Sequence, residues 1–170
     1  VMRTLDIGGD KDLPYFPIDE ANSFLGWRGM RVTLDHPEVL MVQLRAMLKA
    51  SQGLDNLYVL FPMITNVDEV DEALRLLDRA IVELGEEGMA VVRPRVGVMI
   101  EVPAAIYQMD ALARRVDFFS VGSNDLTQYL LAVDRNNPRV SDLYDAMHPA
   151  LLGALVDAGR DLGPALVHRL

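Results

Sequence analysis

Four short, almost uninterrupted apolar runs constrain this chain most: Val1–Ile7, Leu57–Met63, Val96–Glu101 and Val116–Gly122. They do not alternate apolar with polar residues, as strands with one wet face do. They read as strands of a parallel sheet covered on both faces. Between them, apolar residues recur at helical spacing. Asp35-His36-Pro37 reads as a helix start with Asp35 as cap, followed by Leu40, Leu44, Met47 and Leu48 and a stop at Gly53. Asn66 and Glu69 have the spacing of a capping box; Val70, Ala73, Leu74, Leu77 and Ile81 then give a buried stripe ending at Gly85. Pro103 opens a third helix to Arg114, Asn124 or Asp125 a fourth to Val133, and His148-Pro149 a fifth ending near Gly163. Gly85-Glu86-Glu87-Gly88 and Asn136-Asn137-Pro138 read as surface loops.

Strands that alternate with helices imply βα units. Four strands fit two architectures: a small open α/β sheet, or about half of a (β/α)8 barrel, which needs eight strands and about 250 residues. Composition does not separate them. With 51% hydrophobic and 24% charged residues, the chain is that of a folded domain, read as one domain over 1–170. It begins at Val1, already inside a strand pattern, and so reads as a piece of a longer protein. The net charge of −9 argues against a general nucleic-acid binder. No apolar run reaches the roughly 18 residues of a membrane span, and the first residues, Val1–Lys11, lack the long apolar core expected of a signal peptide. The absence of cysteine removes disulfides, thiolate metal sites and cysteine nucleophiles together, and fits a cytoplasmic protein.

Active sites of parallel α/β folds lie at the carboxyl ends of the strands. Glu101 ends the third strand there, and Ser123-Asn124-Asp125 follows the fourth. Two acids and an amide so placed suit Mg²⁺, a hard cation that takes a few carboxylates plus substrate oxygens. The plainer alternative is that Asp125 caps a helix and Glu101 sits in an ion pair. Gly8-Gly9 after the first strand would let backbone N–H groups approach an anion, with Lys11 adding charge; a tight turn with a solvated lysine explains the same residues. Arg3 lies within an apolar strand, Arg28 and Arg31 follow Leu25-Gly26-Trp27, and Arg135 follows the fourth helix. Beside an acidic metal site these arginines point to a phosphate or carboxylate ligand. His36, His148 and His168 share no metal-ligand spacing and read as structural or exposed, and the methionines read as packing.

These motifs resemble Enzyme I of the bacterial phosphotransferase system. The resemblance rests on Arg3-Thr4-Leu5-Asp6-Ile7-Gly8-Gly9-Asp10-Lys11 and on Phe24-Leu25-Gly26-Trp27-Arg28-Gly29-Met30-Arg31. It continues through Phe61-Pro62-Met63-Ile64, Gly97–Ala105 and Asp117–Tyr129, with Ala132-Val133-Asp134-Arg135. The five blocks are collinear over residues 1–152, whereas 153–170 diverge. The nitrogen-regulatory branch is the nearer one, on Ser123, Leu34–Glu38 and Asp134–Asn137. The resemblance implies a partial (β/α)8 TIM barrel of four to five βα units, the C-terminal domain that binds phosphoenolpyruvate (PEP). Glu101 and Asp125 would then ligate Mg²⁺. Arg3, Arg28 and Arg135 would hold the phosphate and carboxylate of PEP, Asn124 would contact the phosphate, and Lys11 would lie near the site. The phosphoryl group would pass to a histidine on a separate N-terminal domain and on to a histidine phosphocarrier protein, in a protein that forms homo-oligomers. The family's late cysteine, its phosphohistidine domain and the remaining barrel strands are not found here, and Ser23 stands where the family has proline. No catalytic residue is therefore assigned within the chain, and the chain alone is expected not to complete turnover. Two alternatives share the motifs: a pyruvate phosphate dikinase or PEP synthase domain, and a non-catalytic dimerisation module.

Overall fold

The computed structural model describes residues 1–160 apart from Asp10, Asp12 and Tyr15. Strands β1 (Met2–Arg3), β2 (Tyr58–Phe61), β3 (Arg95–Ile100) and β4 (Phe118–Val121) form one sheet in the order β1-β2-β3-β4. Every neighbouring pair is parallel. This order decides between the two architectures that strand count and composition left open, in favour of the partial barrel that the family resemblance implies. A doubly wound sheet reverses its strand order at a switch point and carries helices on both faces. Here every connection steps to the next strand in the same direction. Right-handed crossovers then put the helices on one face. The fold is a run of successive βα units of a partial (β/α)8 barrel.

The strand period of two separates the faces. Val59, Phe61, Val96, Val98, Ile100 and Phe119 join the helices in the main core. Leu60, Met99 and Phe118, with Tyr58 packed against them, form a smaller cluster on the other face. Gly97 makes room there: a Cβ on it would lie 2.4 Å from the Phe118 ring. Gly97→Ala is therefore expected to lower stability by about 1–3 kcal/mol, through overpacking, and to lower the thermal midpoint by several degrees. An unchanged midpoint would contradict this packing.

The helices are α1 (Met30–Asp35), α2 (Pro37–Ala50), α3 (Val67–Glu86), α4 (Pro103–Ile106), α5 (Met109–Ala113), α6 (Ser123–Leu131) and α7 (Pro149–Arg160). The capping box of α3 forms as expected: Asn66 Oδ1 accepts from the Glu69 N–H at 3.0 Å, and Glu69 Oε2 accepts from the Asn66 N–H at 3.2 Å. The helix runs one residue past Gly85. Other expectations shift. Strand β1 is shorter than the apolar run Val1–Ile7; beyond it the Thr4 N–H still donates to the Leu60 carbonyl at 3.0 Å, and the Leu5 N–H donates to Gln43 Oε1 at 2.8 Å. Asp35 is not the cap of α2. It ends α1, a helix too short to show periodicity, and accepts from Trp27 Nε1 at 2.7 Å; His36 holds the cap position without a side-chain bond. The single helix read over 103–114 is two, α4 and α5. Gln108 leaves helical angles at φ −125° and ψ 15°, and its Nε2 donates to the Thr65 carbonyl at 2.7 Å. Gly163, the expected end of the fifth helix, and His168 lie outside the described residues.

Candidate functional site

Glu101 directly follows β3, and its side chain is buried against the carboxyl end of the sheet. Its Oε1 accepts from the Met63 N–H at 2.6 Å. A Cβ on Gly122 would come within 2.6 Å of the Glu101 Cβ and 2.7 Å of Oε2, so glycine lets the end of β4 pass beside this carboxylate. Asp125 stands in the first turn of α6 but does not cap it, because the cap position is Gly122 and no side-chain cap bond forms. Asp125 instead meets two arginines. Its Oδ2 lies 3.2 Å from Arg28 Nη2, and its Oδ1 lies 3.4 Å from Arg28 Nη1 and 3.3 Å from Arg135 Nη1.

Arg28 is fully buried, with 0% of its side chain exposed. It bridges Asp125 to a second buried acid, Asp6, whose Oδ1 lies 3.4 Å from Arg28 Nη2. Asp6 also pairs with Lys11 Nζ, and with Arg3 Nη1 at 3.5 Å. The site thus gathers four cations around two carboxylates, with Glu101 beside them. Sequence reasoning missed Asp6. Its signal was a carboxylate inside an apolar run, three residues after Arg3 and five before Lys11. It also missed the Met63 amide, Phe24 and Tyr129.

The electrostatics follow from burial. Burial opposes charge on Arg28, but the attraction of Asp125 and Asp6 outweighs it and holds the guanidinium above its ordinary pKa. Glu101 is pushed up to about 7, chiefly by burial; the Met63 N–H pulls it down, Asp6 and Asp125 push it further up, and Arg28 pulls it back. Burial likewise raises the Tyr129 phenol.

The remaining expected residues fall as follows. Asn124 is exposed on the first turn of α6, where its carbonyl and Oδ1 both accept from the Tyr144 hydroxyl at 3.3 Å. The Gly8 N–H is bonded to the Lys11 carbonyl at 3.1 Å, and the Lys11 N–H returns to the Gly8 carbonyl. The glycine pair serves close approach: Gly8 has φ 94°, and a Cβ on it would lie 2.7 Å from the Trp27 carbonyl. Arg31 donates to the Leu25 and Gly26 carbonyls and holds its own loop. His36 packs against Phe16 and Trp27, and His148 Nδ1 accepts from the Ala150 N–H.

Among the described residues no group of three or more His, Cys, Asp or Glu stands together as a metal cage. The donors present suit a different kind of site. Mg²⁺ takes one or two carboxylates and leaves its other positions to water and substrate oxygens. Glu101 and Asp125 provide two hard oxygen donors, and the charge on Glu101 is poorly compensated by its surroundings. The residues fit Mg²⁺.

Comparison with known proteins identifies the family. Residues 1–159 match the family described as PEP-utilising enzyme, PEP-binding domain. The chain is 56% identical over 161 residues to a protein of Escherichia coli K12 named phosphoenolpyruvate-dependent phosphotransferase system, covering 94% of this chain and 22% of that protein. It is 50% identical over 157 residues to the phosphoenolpyruvate-protein phosphotransferase of Haemophilus influenzae, covering 91% of this chain and 27% of that one. The chain therefore spans about a quarter or less of the length of these relatives. Among solved structures, a citrate lyase from Burkholderia xenovorans LB400 superposes with a TM-score of 0.53 at 19% identity, covering 84% of this chain and 38% of that one, which is a likeness of fold. The collinear motifs, the strand order and the family match converge: the chain belongs to the PEP-binding domain family of PEP-utilising enzymes.

Proposed function

We propose that this chain is the PEP-binding portion of a PEP-protein phosphotransferase of the Enzyme I type, on the nitrogen-regulatory branch. The observation that carries this reading is the joint at the strand ends: two buried carboxylates, Glu101 and Asp125, beside a set of arginines. Relatives at 43–57% identity that are named phosphotransferases or phosphoryl transfer proteins support it.

In this reading Glu101 and Asp125 would hold Mg²⁺, which when bound supplies charge neutralisation at the phosphate. Arg3, Arg28, Arg135 and Lys11 bind and orient the anionic groups of PEP, with Asn124 at the phosphate. Asp6 and Asp125 keep Arg28 charged and in place. Phosphoryl transfer asks mainly for such positioning and electrostatic stabilisation. The phosphoryl acceptor is a histidine outside this chain, and the product relay runs to a histidine phosphocarrier. Homo-oligomerisation and a cytoplasmic location belong to the same proposal. Among the described residues no helix is long and apolar enough to cross a membrane. Exposed apolar residues on both edge strands, Met2 of β1 and Val121 of β4, offer surface for a second copy.

Calorimetric titration of PEP into the chain, with Mg²⁺ and then with EDTA, tests the reading. Mg²⁺-dependent binding is the expected result. No binding by a sample whose circular dichroism reports a folded α/β protein would overturn it.

A further inference from the structure

We propose that Phe24 and Tyr129 form a latch that positions Arg28 and Arg135 for the anion, an inference that rests on the functional reading above. The two arginines come from opposite ends of the chain and share one aromatic ring. The Arg28 Cζ lies 5.9 Å from the centroid of Phe24, and the Arg135 Cζ lies 5.6 Å from it. The face of an aromatic ring attracts cations through its quadrupole, and the attraction grows as water is excluded. Arg28 is fully buried, so the ring lies next to a dehydrated guanidinium. On one side the Gly8-Gly9 turn closes over this arrangement: a Cβ on Gly9 would come within 3.2 Å of Arg28 Nη1 and 3.4 Å of the Phe24 ring.

On its other side Phe24 belongs to the 3-10 turn Ser23–Leu25. It borders a cleft of about 370 Å³ whose far wall is Gln128, Tyr129, Ala132 and Val133 of α6 and the loop beyond. Across this cleft the Tyr129 hydroxyl donates to the Phe24 carbonyl, tying together residues 105 apart in sequence. A phenol is protonated near neutral pH and able to donate, and burial raises this one further. Tyr129 sits one turn after Asp125, so the same helix holds the carboxylate that Arg28 and Arg135 share. The latch thus sets where both guanidiniums stand relative to Asp125. Phe24 and Tyr129 are positioning residues: they act through the arginines.

Three substitutions test this in the full chain, with PEP and Mg²⁺ as the probe in titration calorimetry. Phe24→Leu keeps an apolar side chain and removes the ring face, and Tyr129→Phe removes only the hydroxyl. Each is expected to weaken PEP binding about tenfold while leaving the thermal midpoint within a few degrees of the unaltered protein. Phe24→Tyr keeps the ring and is expected to restore affinity to within about twofold. Phe24→Leu binding as tightly as the unaltered chain overturns the proposal. So does Phe24→Tyr binding as weakly as Phe24→Leu, because then ring chemistry is not what matters. No PEP binding by the unaltered chain overturns the functional reading itself, and this inference with it.

Discussion

Replacing Arg28 with Met costs about 3–5 kcal/mol of folding stability, among the largest effects of any single substitution in this chain. The guanidinium is completely dehydrated and lies between Asp6 and Asp125, at 3.4 and 3.2 Å. Removing it leaves two carboxylates buried in the same small volume with less positive charge to balance them. Asp6 keeps Lys11 and Arg3, and Asp125 keeps Arg135, so the loss stops short of full uncompensated burial. Urea denaturation measures the cost. Asp6→Asn should make the same Arg28→Met change cheaper by about 1 kcal/mol or more, because a neutral amide no longer needs the cation. Strict additivity of the two substitutions would show that this ion pair carries no coupling energy. If the proposed function holds, titration calorimetry is expected to show PEP binding lost in Arg28→Met as well.

Glu101→Gln should abolish Mg²⁺-dependent PEP binding and, in the absence of the cation, make the protein more stable at pH 8. The sign follows from the raised carboxyl. A pKa near 7 in place of the ordinary 4.5 means that folding favours the protonated form. The stability this group contributes is fully present below pH 4.5 and is lost as pH rises through about 7. Above that, charge on Glu101 costs about 3 kcal/mol. Glutamine keeps an oxygen to accept the Met63 N–H at the position Oε1 now occupies, and it carries no charge. Thermal unfolding at pH 5 and pH 8 reads the difference. The unaltered chain should lose several degrees across that interval, and Glu101→Gln should lose much less. Equal pH dependence in the two proteins would mean that Glu101 is not a buried, raised acid. Retained Mg²⁺-dependent binding would remove it from the metal site.

The stability sacrificed at Glu101 and the unpartnered Nε of Arg28 belong together. Both are groups whose requirements the described chain does not meet by itself. A cation at one and an anion at the other would meet them, which is why the same residues carry the functional reading.

Much of this was legible in the residues. The four apolar runs contain β1 to β4, and Glu101 and Asp125, the acids read at the carboxyl ends of the last two, are buried there. Glu101 could be found because a carboxylate closing an apolar strand is locally anomalous. The Asn66 capping box could be found because its partners are three residues apart. The break at Gln108 could not, since it depends on Thr65, 43 residues away. Asp6 was passed over for a similar reason. Within its own segment it has Arg3 and Lys11 as partners, whereas its ion pair with the buried Arg28 depends on a residue 22 positions away.

Sequence alone determined the four strands, the longer helices, their alternation and the end of the sheet where the polar residues gather, because periodicity and strand ends are local properties of the chain. The tertiary structure decided the rest. Strand order separated a partial barrel from an open doubly wound sheet, a choice that the family resemblance anticipated but that periodicity could not make, because no local pattern encodes the direction of each crossover. It also joined Arg28 to Asp125 across 97 residues. That pairing arises because parallel strands carry all their carboxyl ends to one side, and buried charges there must find one another.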